Sequence, residues 1–339
     1  MSNGYGIDLG TCNLKIYSKA AQAVTNVKNT IALYDKDKIY AYGDDAYSMY
    51  EKAPENIGVS FPISNGVISD FNNMQGLLIH VLENEVKAHL KGSDIVLAVP
   101  TDITEVEKKA FNDMFARNKS KIKVKSVSLC EKPLADALGM GIDITEPTGV
   151  MVVDLGADTT EISVISLGGL VLSNLLTFGG NRLDDDIVTH LKRKYNLLIG
   201  RKTAKELKEK IGSTSEGRGE SMEVVGRDVV AGLPVSMTID SDMVYEAIKE
   251  DLNSICNSIK TILEKVPPEI AKDIVYSGIY LTGGSSSIHG ISDLFNELTN
   301  IKMNVAEDGE NTVALGLGRI LTDNKFRQYG YTMRSRIYS

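Results

Sequence analysis

The triplet Asp-Leu-Gly occurs twice in this chain, at 8–10 and at 154–156, each time between two short apolar runs. Around the second copy, Gly149 to Gly169 reads GVMVVDLGADTTEISVISLGG. Val150 to Val153 is rich in β-branched residues and Glu161 to Leu167 alternates polar with apolar, so the stretch predicts two strands joined by a tight tip. The tip, Asp154-Leu-Gly-Ala-Asp-Thr-Thr, combines one glycine, two hydroxyls and two carboxylates. Gly156 lets backbone come close to a bulky anion, Thr159 and Thr160 can donate hydrogen bonds, and a carboxylate can hold the waters of a Mg²⁺. That inventory suits a polyphosphate with its metal, and it also suits an ordinary hairpin turn. The first copy favours the former. Gly4 to Tyr17, GYGIDLGTCNLKIY, repeats the order of strand, Asp8-Leu-Gly-Thr, strand, so an internal duplication is the economical explanation. Two such tips facing each other would grip a phosphate chain from both sides.

Between and after the tips, strands alternate with helices, the signature of an α/β protein. Residues 24 to 47 read as short strands, and Gly58 to Phe71, with Pro62, Asn65-Gly66 and Asp70, as connecting loops. Asn72 to Leu90 carries Met74, Leu77, Leu78, Val81, Leu82 and Val86 at helical spacing. Ile95 to Val99 predicts a strand, and Glu105 to Asn118 a helix buried through Val106, Ala110, Phe111 and Met114. Val124 to Leu129 is a further strand, and Pro133 opens a helix Leu134 to Met140. In the second half, helices are predicted at Asp184 to Tyr195 and Thr203 to Ile211, with a mobile polar loop at Gly212 to Glu220. Glu223 to Ile239 is strand-like, with turns at Gly226 and Gly232-Leu-Pro. The longest helix, Asp242 to Val266, presents Val244, Ile248, Leu252, Ile255, Ile259 and Ile262 on one face and stops at Pro267-Pro268. A strand at Ile279 to Leu281 leads into Thr282-Gly-Gly-Ser-Ser-Ser, and helices follow at Ile291 to Leu298 and Thr312 to Leu321.

With 339 residues the chain has room for two domains, each with its own core. Its net charge of −8 argues against nucleic acid as the main partner, because backbone binding needs clustered cations. Cys12, Cys130 and Cys256 make no disulfide framework, and the absence of a signal peptide points to the cytoplasm. No apolar run approaches the roughly 18 to 20 residues that span a bilayer. His80, His89, His190 and His289 fall singly and read as structural.

Asp8-Leu-Gly-Thr, Asp154-Leu-Gly with Thr159-Thr160-Glu161, and Leu281-Thr-Gly-Gly resemble, in order, the two phosphate loops and the adenosine loop of the actin and heat-shock chaperone ATPase superfamily. Longer stretches are similar to MreB, the bacterial actin family of cell shape: Asn56-Ile57, Asn65-Gly66-Val67-Ile68 with Asp70-Phe71, Tyr195-Asn-Leu-Leu-Ile-Gly, Gly226-Arg-Asp with Gly232-Leu-Pro, Pro267-Pro268-Glu269 and Val305-Ala-Glu-Asp. The likeness covers roughly residues 4 to 322. It implies an actin-like two-lobed ATPase fold with duplicated ribonuclease-H-like subdomains and two smaller insertions. The implied subdomains are IA at 1–29, 68–144 and 313–339, IB at 30–67, IIA at 145–179 and 240–312, and IIB at 180–239. It further implies ATP or ADP with Mg²⁺ between the lobes, assembly of the chain with itself into double protofilaments on the inner face of the membrane, and partnership with the cell-wall synthesis machinery.

The same likeness assigns roles. Asp8 and Asp154 would hold Mg²⁺ through water, and Gly10, Thr11, Cys12 and Asn13 would present amides or side chains to the phosphates. Lys15 matches a phosphate-binding lysine of actin, where MreB proteins usually carry an aliphatic residue; by position alone it reads as a solvent-facing strand lysine. Gly156, Ala157 and Thr159 belong to the second loop. Gly179, Gly180 and Asn181 open a helix whose first amides could meet ribose or phosphate, or form a plain helix start. Lys208 and Glu209 match residues flanking base and ribose, against a solvated helix face. Gly283, Gly284 and Ser285 would let backbone lie against the adenosine.

Two departures from the family pattern fall where the γ-phosphate belongs. Where the family usually has a water-orienting Glu before the proline, this chain has Lys132, with Glu131 one residue earlier. A charged lysine cannot accept a proton. In the second loop, Ala157 and Asp158 replace two of the usual glycines, and a carboxylate repels phosphates unless a cation offsets it. Lys132 and Asp158 could be such a compensating pair, giving a site that binds nucleotide and hydrolyses it slowly or not at all. Alternatively Glu131 or Asp158 takes over the water; Thr160 is a further catalytic candidate. Membrane contact is a third departure: Lys87-Ala-His-Leu-Lys-Gly-Ser is short and polar where the family carries an apolar loop. The stretch from Lys325 to Tyr338 offers basic residues, Lys325, Arg327, Arg334 and Arg336, among Phe326, Tyr329, Tyr331, Met333 and Tyr338, which suits either an anionic lipid surface or a solvated tail. The competing functions are a chaperone-type ATPase, a sugar or acetate kinase of the same superfamily, and a non-hydrolysing scaffold that partners other filaments.

Overall fold

Alternation along the first strand sets the first half of the fold. In the computed structural model, which describes residues 3–35, 38–115 and 123–333, Tyr5, Ile7 and Leu9 point to one side of strand β1 (Gly4–Leu9) and join a core with Met74, Leu77, Leu78, Val81, Leu82 and Phe111. The chain continues through β2 (Asn13–Ser18), β3 (Ala23–Lys28), β4 (Ile31–Tyr34), β5 (Lys38–Tyr42) and helix α1 (Gly43–Met49). Next come β6 (Ile57–Ser60), β7 (Ile63–Ser64), β8 (Val67–Ile68) and α2 (Phe71–Asn84). Strand β9 (Asp94–Val99), α3 (Glu105–Asp113), β10 (Ser126–Glu131) and α4 (Lys132–Gly139) complete this stretch. Asp70 caps α2 by accepting from the Asn73 amide, and Thr104 with Glu107 forms a capping box on α3.

The second stretch begins with β11 (Val150–Leu155), β12 (Thr160–Ser166), β13 (Gly169–Leu176), α5 (Gly180–Tyr195), β14 (Leu197–Leu198) and α6 (Arg201–Ile211). It goes on through β15 (Ser221–Asp228), β16 (Pro234–Asp240), α7 (Ser241–Lys265), α8 (Pro268–Ser277) and β17 (Ile279–Thr282). After a short 3-10 turn at Gly284–Ser287 it ends in α9 (Ile291–Thr299), β18 (Met303–Val305) and α10 (Thr312–Thr322). Contacts divide the chain into two units, one of Met1–Thr148, Ser163–Leu175 and Glu310–Ser339, the other of Gly149–Ile162 and Leu176–Gly309.

Two five-stranded sheets run in the orders β3-β2-β1-β9-β10 and β13-β12-β11-β17-β18. In the first, β1 is antiparallel to β2 and parallel to β9, which is parallel to β10. In the second, β11 is parallel to β17 and β17 to β18. Position for position the sheets repeat, as the paired triplets predict. Helix α10 covers the other face of the first sheet, with Leu317 against Gly6, and Arg319 ties it to α4 by donating to the Leu138 carbonyl at 2.8 Å. Helix α7 buries Val244, Ile248, Leu252, Ile255, Ile259 and Ile262, the face its spacing predicts.

Several local expectations change. Gly58 to Phe71 is not merely loop: β7 and β8 form a hairpin across Asn65-Gly66, whose φ values of +49° and +77° give the two-residue turn that matches strand twist. Strands of two residues carry no periodicity to read. Residues 43–49 form helix α1 rather than strand. Helix α2 stops at Asn84, and the chain turns through Lys87 at φ +51° while Val86, Ala88 and Leu90 still pack on the core. Val106 is 80% exposed, because it lies in the first turn of α3 on the side away from buried Phe111 and Met114; the extension toward Asn118 lies outside the described residues. Gly226 sits inside β15 opposite Val235 rather than at a turn. Pro267-Pro268 ends α7 and also opens α8, since proline suits a first helical turn. In the Gly212 to Glu220 loop, Gly212, Ser213 and Thr214 are buried.

Candidate functional site

The first tip is a sharp turn between β1 and β2. A Cβ on Gly10 would lie 2.7 Å from the Asn13 carbonyl oxygen and 3.2 Å from Lys15 Nζ, so only glycine fits. The Gly10 carbonyl accepts from Asn29 Nδ2 at 2.7 Å, and the Cys12 carbonyl from the Asn29 amide at 2.9 Å. Asn13 is buried and spends both ends of its side chain inside the unit. Its Oδ1 accepts from Lys28 Nζ at 2.9 Å, and its Nδ2 donates to Glu310. Lys28 Nζ also stands 3.8 Å from Cys12 Sγ.

Lys15 is not the solvent-facing lysine its position in a strand suggests. Its Nζ donates to Asp8 Oδ2 at 3.0 Å, with side-chain exposures of 12% and 5%. Burial works against its charge and Lys132 opposes it too, yet Asp8 outweighs both and holds the ammonium above the ordinary lysine pKa. Glu131 is buried at the cap position of α4, and Lys132 and Pro133 form its first turn.

The second tip repeats the turn with different fastenings. A Cβ on Gly156 would lie 2.8 Å from the Thr159 carbonyl oxygen, nearly the Gly10 geometry, and the Gly156 amide donates to that same oxygen at 2.9 Å. The first amides of α5 were candidates for ribose or phosphate. Instead Gly180 donates to the Gly156 carbonyl at 2.9 Å and Asn181 to the Ala157 carbonyl at 2.7 Å, so these donors bind the loop to the helix. Gly179 is the residue before that helix. The Asn181 side chain donates to Asp158 Oδ1 at 2.7 Å, a partner for the Asp158 carboxylate that spacing did not reveal. Thr160, a catalytic candidate from the sequence, donates its hydroxyl to the Phe178 carbonyl at 3.0 Å and is fully buried; there it holds the chain entering Gly179.

Lys208 is no solvated helix lysine either. Its Nζ lies 2.6 Å from Asp184 Oδ1 and donates to the Gly180 carbonyl at 2.6 Å, with both charged side chains buried. Burial raises the Asp184 pKa, and Lys208 works against that rise. Glu209 is exposed and pairs with Lys205 at 3.7 Å. Gly283, at φ +84°, lies against the second tip: a Cβ on it would be 2.5 Å from the Leu155 carbonyl oxygen and would overlap Asp154. Gly284 begins the 3-10 turn, and Ser285 Oγ donates to the Gly156 carbonyl at 3.5 Å. Asp154 is buried at 4% exposure.

A hydrated Mg²⁺ fits these carboxylates unequally. Asp8 already holds an ammonium in contact, and a cation placed beside it would meet that charge at close range. Four partners escaped the sequence reading: Lys28, Asn29 and Glu310 at the first tip, and Asp184 at the second. The only local signal is a run of three polar residues, Lys28-Asn29-Thr30, at the junction of β3 and β4. Among the described residues no group of three or more His, Cys, Asp or Glu could hold a metal ion. His80 Nδ1 bonds the Gly76 carbonyl at 2.9 Å, and His190 lies 3.6 Å from Glu246.

Of the basic and aromatic segment near the C-terminus, the described part is docked. Phe326 is 5% exposed, Lys325 pairs with Asp143, and Tyr331 exchanges main-chain hydrogen bonds with Leu129 at 2.8 and 2.9 Å. Tyr331 and Met333 are partly buried against the core. Arg334, Arg336 and Tyr338 lie outside the described residues. No helix of the described chain is long and apolar enough to cross a membrane.

A repeated sheet with a glycine-tipped hairpin in each copy is the architecture of an actin-like protein. A solved structure, MreB 5 of Spiroplasma citri bound to AMPPNP, matches with a TM-score of 0.90 at 32% identity, covering 97% of this chain and 98% of that one. The family model described as MreB/Mbl protein matches residues 2–328. The cell shape-determining protein Mbl of Bacillus cereus is 38% identical over 319 residues, 93% of this chain and 95% of its own length. The cell shape-determining protein MreB of Escherichia coli is 37% identical over 328 residues, 94% and 93% of the two lengths. The chain belongs to the MreB/Mbl family.

Proposed function

We propose that this chain is a bacterial actin that binds ATP or ADP through its two glycine tips and polymerises into double protofilaments that organise cell shape. The observation that carries the reading is the repeated turn, with Gly10 set over the Asn13 carbonyl and Gly156 over that of Thr159. A turn that keeps its glycine in both copies leaves bare backbone for a bulky anion. The relative from Spiroplasma citri was solved with AMPPNP, which supports a nucleoside triphosphate as that anion. In this reading Asp154 is the carboxylate suited to the waters of a Mg²⁺, and Lys15 reaches the phosphates from Asp8. The filament works in the cytoplasm at the inner face of the membrane with the cell-wall synthesis machinery. Attachment through Lys325–Tyr338 would draw on Arg334, Arg336 and Tyr338 rather than on Phe326 and Tyr331.

Hydrolysis is slow or lost in this proposal. Lys132 brings a cation to the start of α4 where a base is needed, and Asp158 adds a carboxylate at the second tip. The chain then acts as a scaffold whose assembly follows nucleotide occupancy. Electron microscopy of the purified protein with and without ATP, joined to a phosphate-release assay, tests both parts. Filaments that appear with ATP, and release at least tenfold slower than in Lys132→Glu, are expected. Absence of polymer in every condition would end the filament reading, and fast wild-type release that Lys132→Glu leaves unimproved would end the slow-hydrolysis reading.

A further inference from the structure

At the first tip a side-chain cation already stands where the site would need positive charge. Lys15 Nζ lies 3.0 Å from Asp8 Oδ2 and 3.2 Å from where a Gly10 Cβ would be, so the ammonium sits in the cradle itself. It is nearly out of water, with 12% of its side chain exposed. An ammonium has three donors, and one of them goes to Asp8; the others remain for an incoming oxyanion. Lys28, held on Asn13 at 2.9 Å, is a second cation at the same tip.

We infer that this chain binds nucleotide without needing Mg²⁺, because the Lys15 ammonium already seated in the cradle neutralises the phosphates at the first tip. The inference rests on the nucleotide reading above and departs from it in one respect: the metal becomes dispensable for affinity. The physical reason is competition for one carboxylate. A hydrated divalent ion on Asp8 would have to displace Lys15 or tolerate it in contact, whereas a polyphosphate meets a preformed cation whose desolvation was completed on folding.

Equilibrium dialysis of the full chain against labelled ATP, in Mg²⁺ and in EDTA, tests this. The wild type is expected to show dissociation constants that differ by less than about threefold between the two buffers. Lys15→Met frees Asp8 and removes the resident cation, so its affinity should fall at least tenfold on passing from Mg²⁺ to EDTA. A wild-type loss of threefold or more in EDTA would overturn the inference and leave the nucleotide reading standing. A Lys15→Met protein as indifferent to EDTA as the wild type would overturn the role given to Lys15. No retained ATP in either buffer would overturn both readings together. The wild-type pair of measurements decides the matter even if the variant does not fold.

Discussion

The two tips share a turn and differ in what secures it. Around Gly10 the fastenings are mostly side chains: Lys15 on Asp8, Lys28 and Glu310 on Asn13, and Asn29 on the Gly10 carbonyl, beside one main-chain bond from the Asn29 amide to the Cys12 carbonyl. Around Gly156 they are mostly main chain: the Thr159 carbonyl, the first two amides of α5 and the close passage of Gly283. A main-chain fastening has little room for substitution, because the groups involved are present whatever the side chain and are displaced only by steric overlap. A side-chain fastening can be retuned one residue at a time. The duplicated halves therefore kept the turn and diverged in its support, and the side-chain half is where an additional cation could be accommodated.

The sharpest way to break this comparison is Gly283→Ala. Its φ of +84° disfavours a side chain and its Cβ would press on the Leu155 carbonyl, so a loss of about 4 kcal/mol is expected, read as a large drop in the urea midpoint. A variant melting within about 2 °C of the wild type would show that the second tip does not depend on that passage. Asn13→Ala at the first tip should cost less, about 1 to 2 kcal/mol, since it removes two hydrogen bonds whose partners can turn toward water. If it cost as much as Gly283→Ala, the contrast between the tips would fail.

The smallest effect lies away from the tips, where the second unit also uses side chains. Burial first, and then Asp251, pushes the Asp186 carboxyl on α5 up to about 7, while Arg182 opposes the rise. A folded pKa above the unfolded value of 3.8 means stability that is fully present below pH 3.8 and lost as the pH climbs through about 7. Asp186→Asn should remove that part of the decline, so the fall in urea midpoint between acid and neutral pH is shallower in the variant. Asp186 keeps 22% of its side chain exposed, and screening keeps the difference modest. Equal slopes in both proteins would remove Asp186 from the account.

Both tips were legible because their chemistry is contiguous: carboxylate, glycine and hydroxyls within seven residues or so of one another, repeated at 8–13 and 154–160. The long helices were legible too, since α7 carries its apolar face in unbroken spacing. The supports were not. Glu310 lies 297 positions from the Asn13 it holds, and no local pattern marks such a partner. Lys208 and Glu209 read alike as exposed helix residues, and only tertiary packing separates the buried ion-paired lysine from its exposed neighbour. The short β7–β8 hairpin and the proline-started α8 were missed because two-residue strands have no period, and because a proline pair marks a beginning as readily as an end.

The bonds from Gly156 and Ala157 to the first residues of α5 have a mechanical side. They make the tip and the helix one lever with its pivot at the loop. Helix α5 has 16 residues, so its far end stands about 24 Å away. A tilt of about 5° at the tip would carry Tyr195 sideways by about 2 Å, a displacement of the size that separates one packed arrangement from another. Whatever settles against Gly156 thus has a 16-residue pointer already attached to register it.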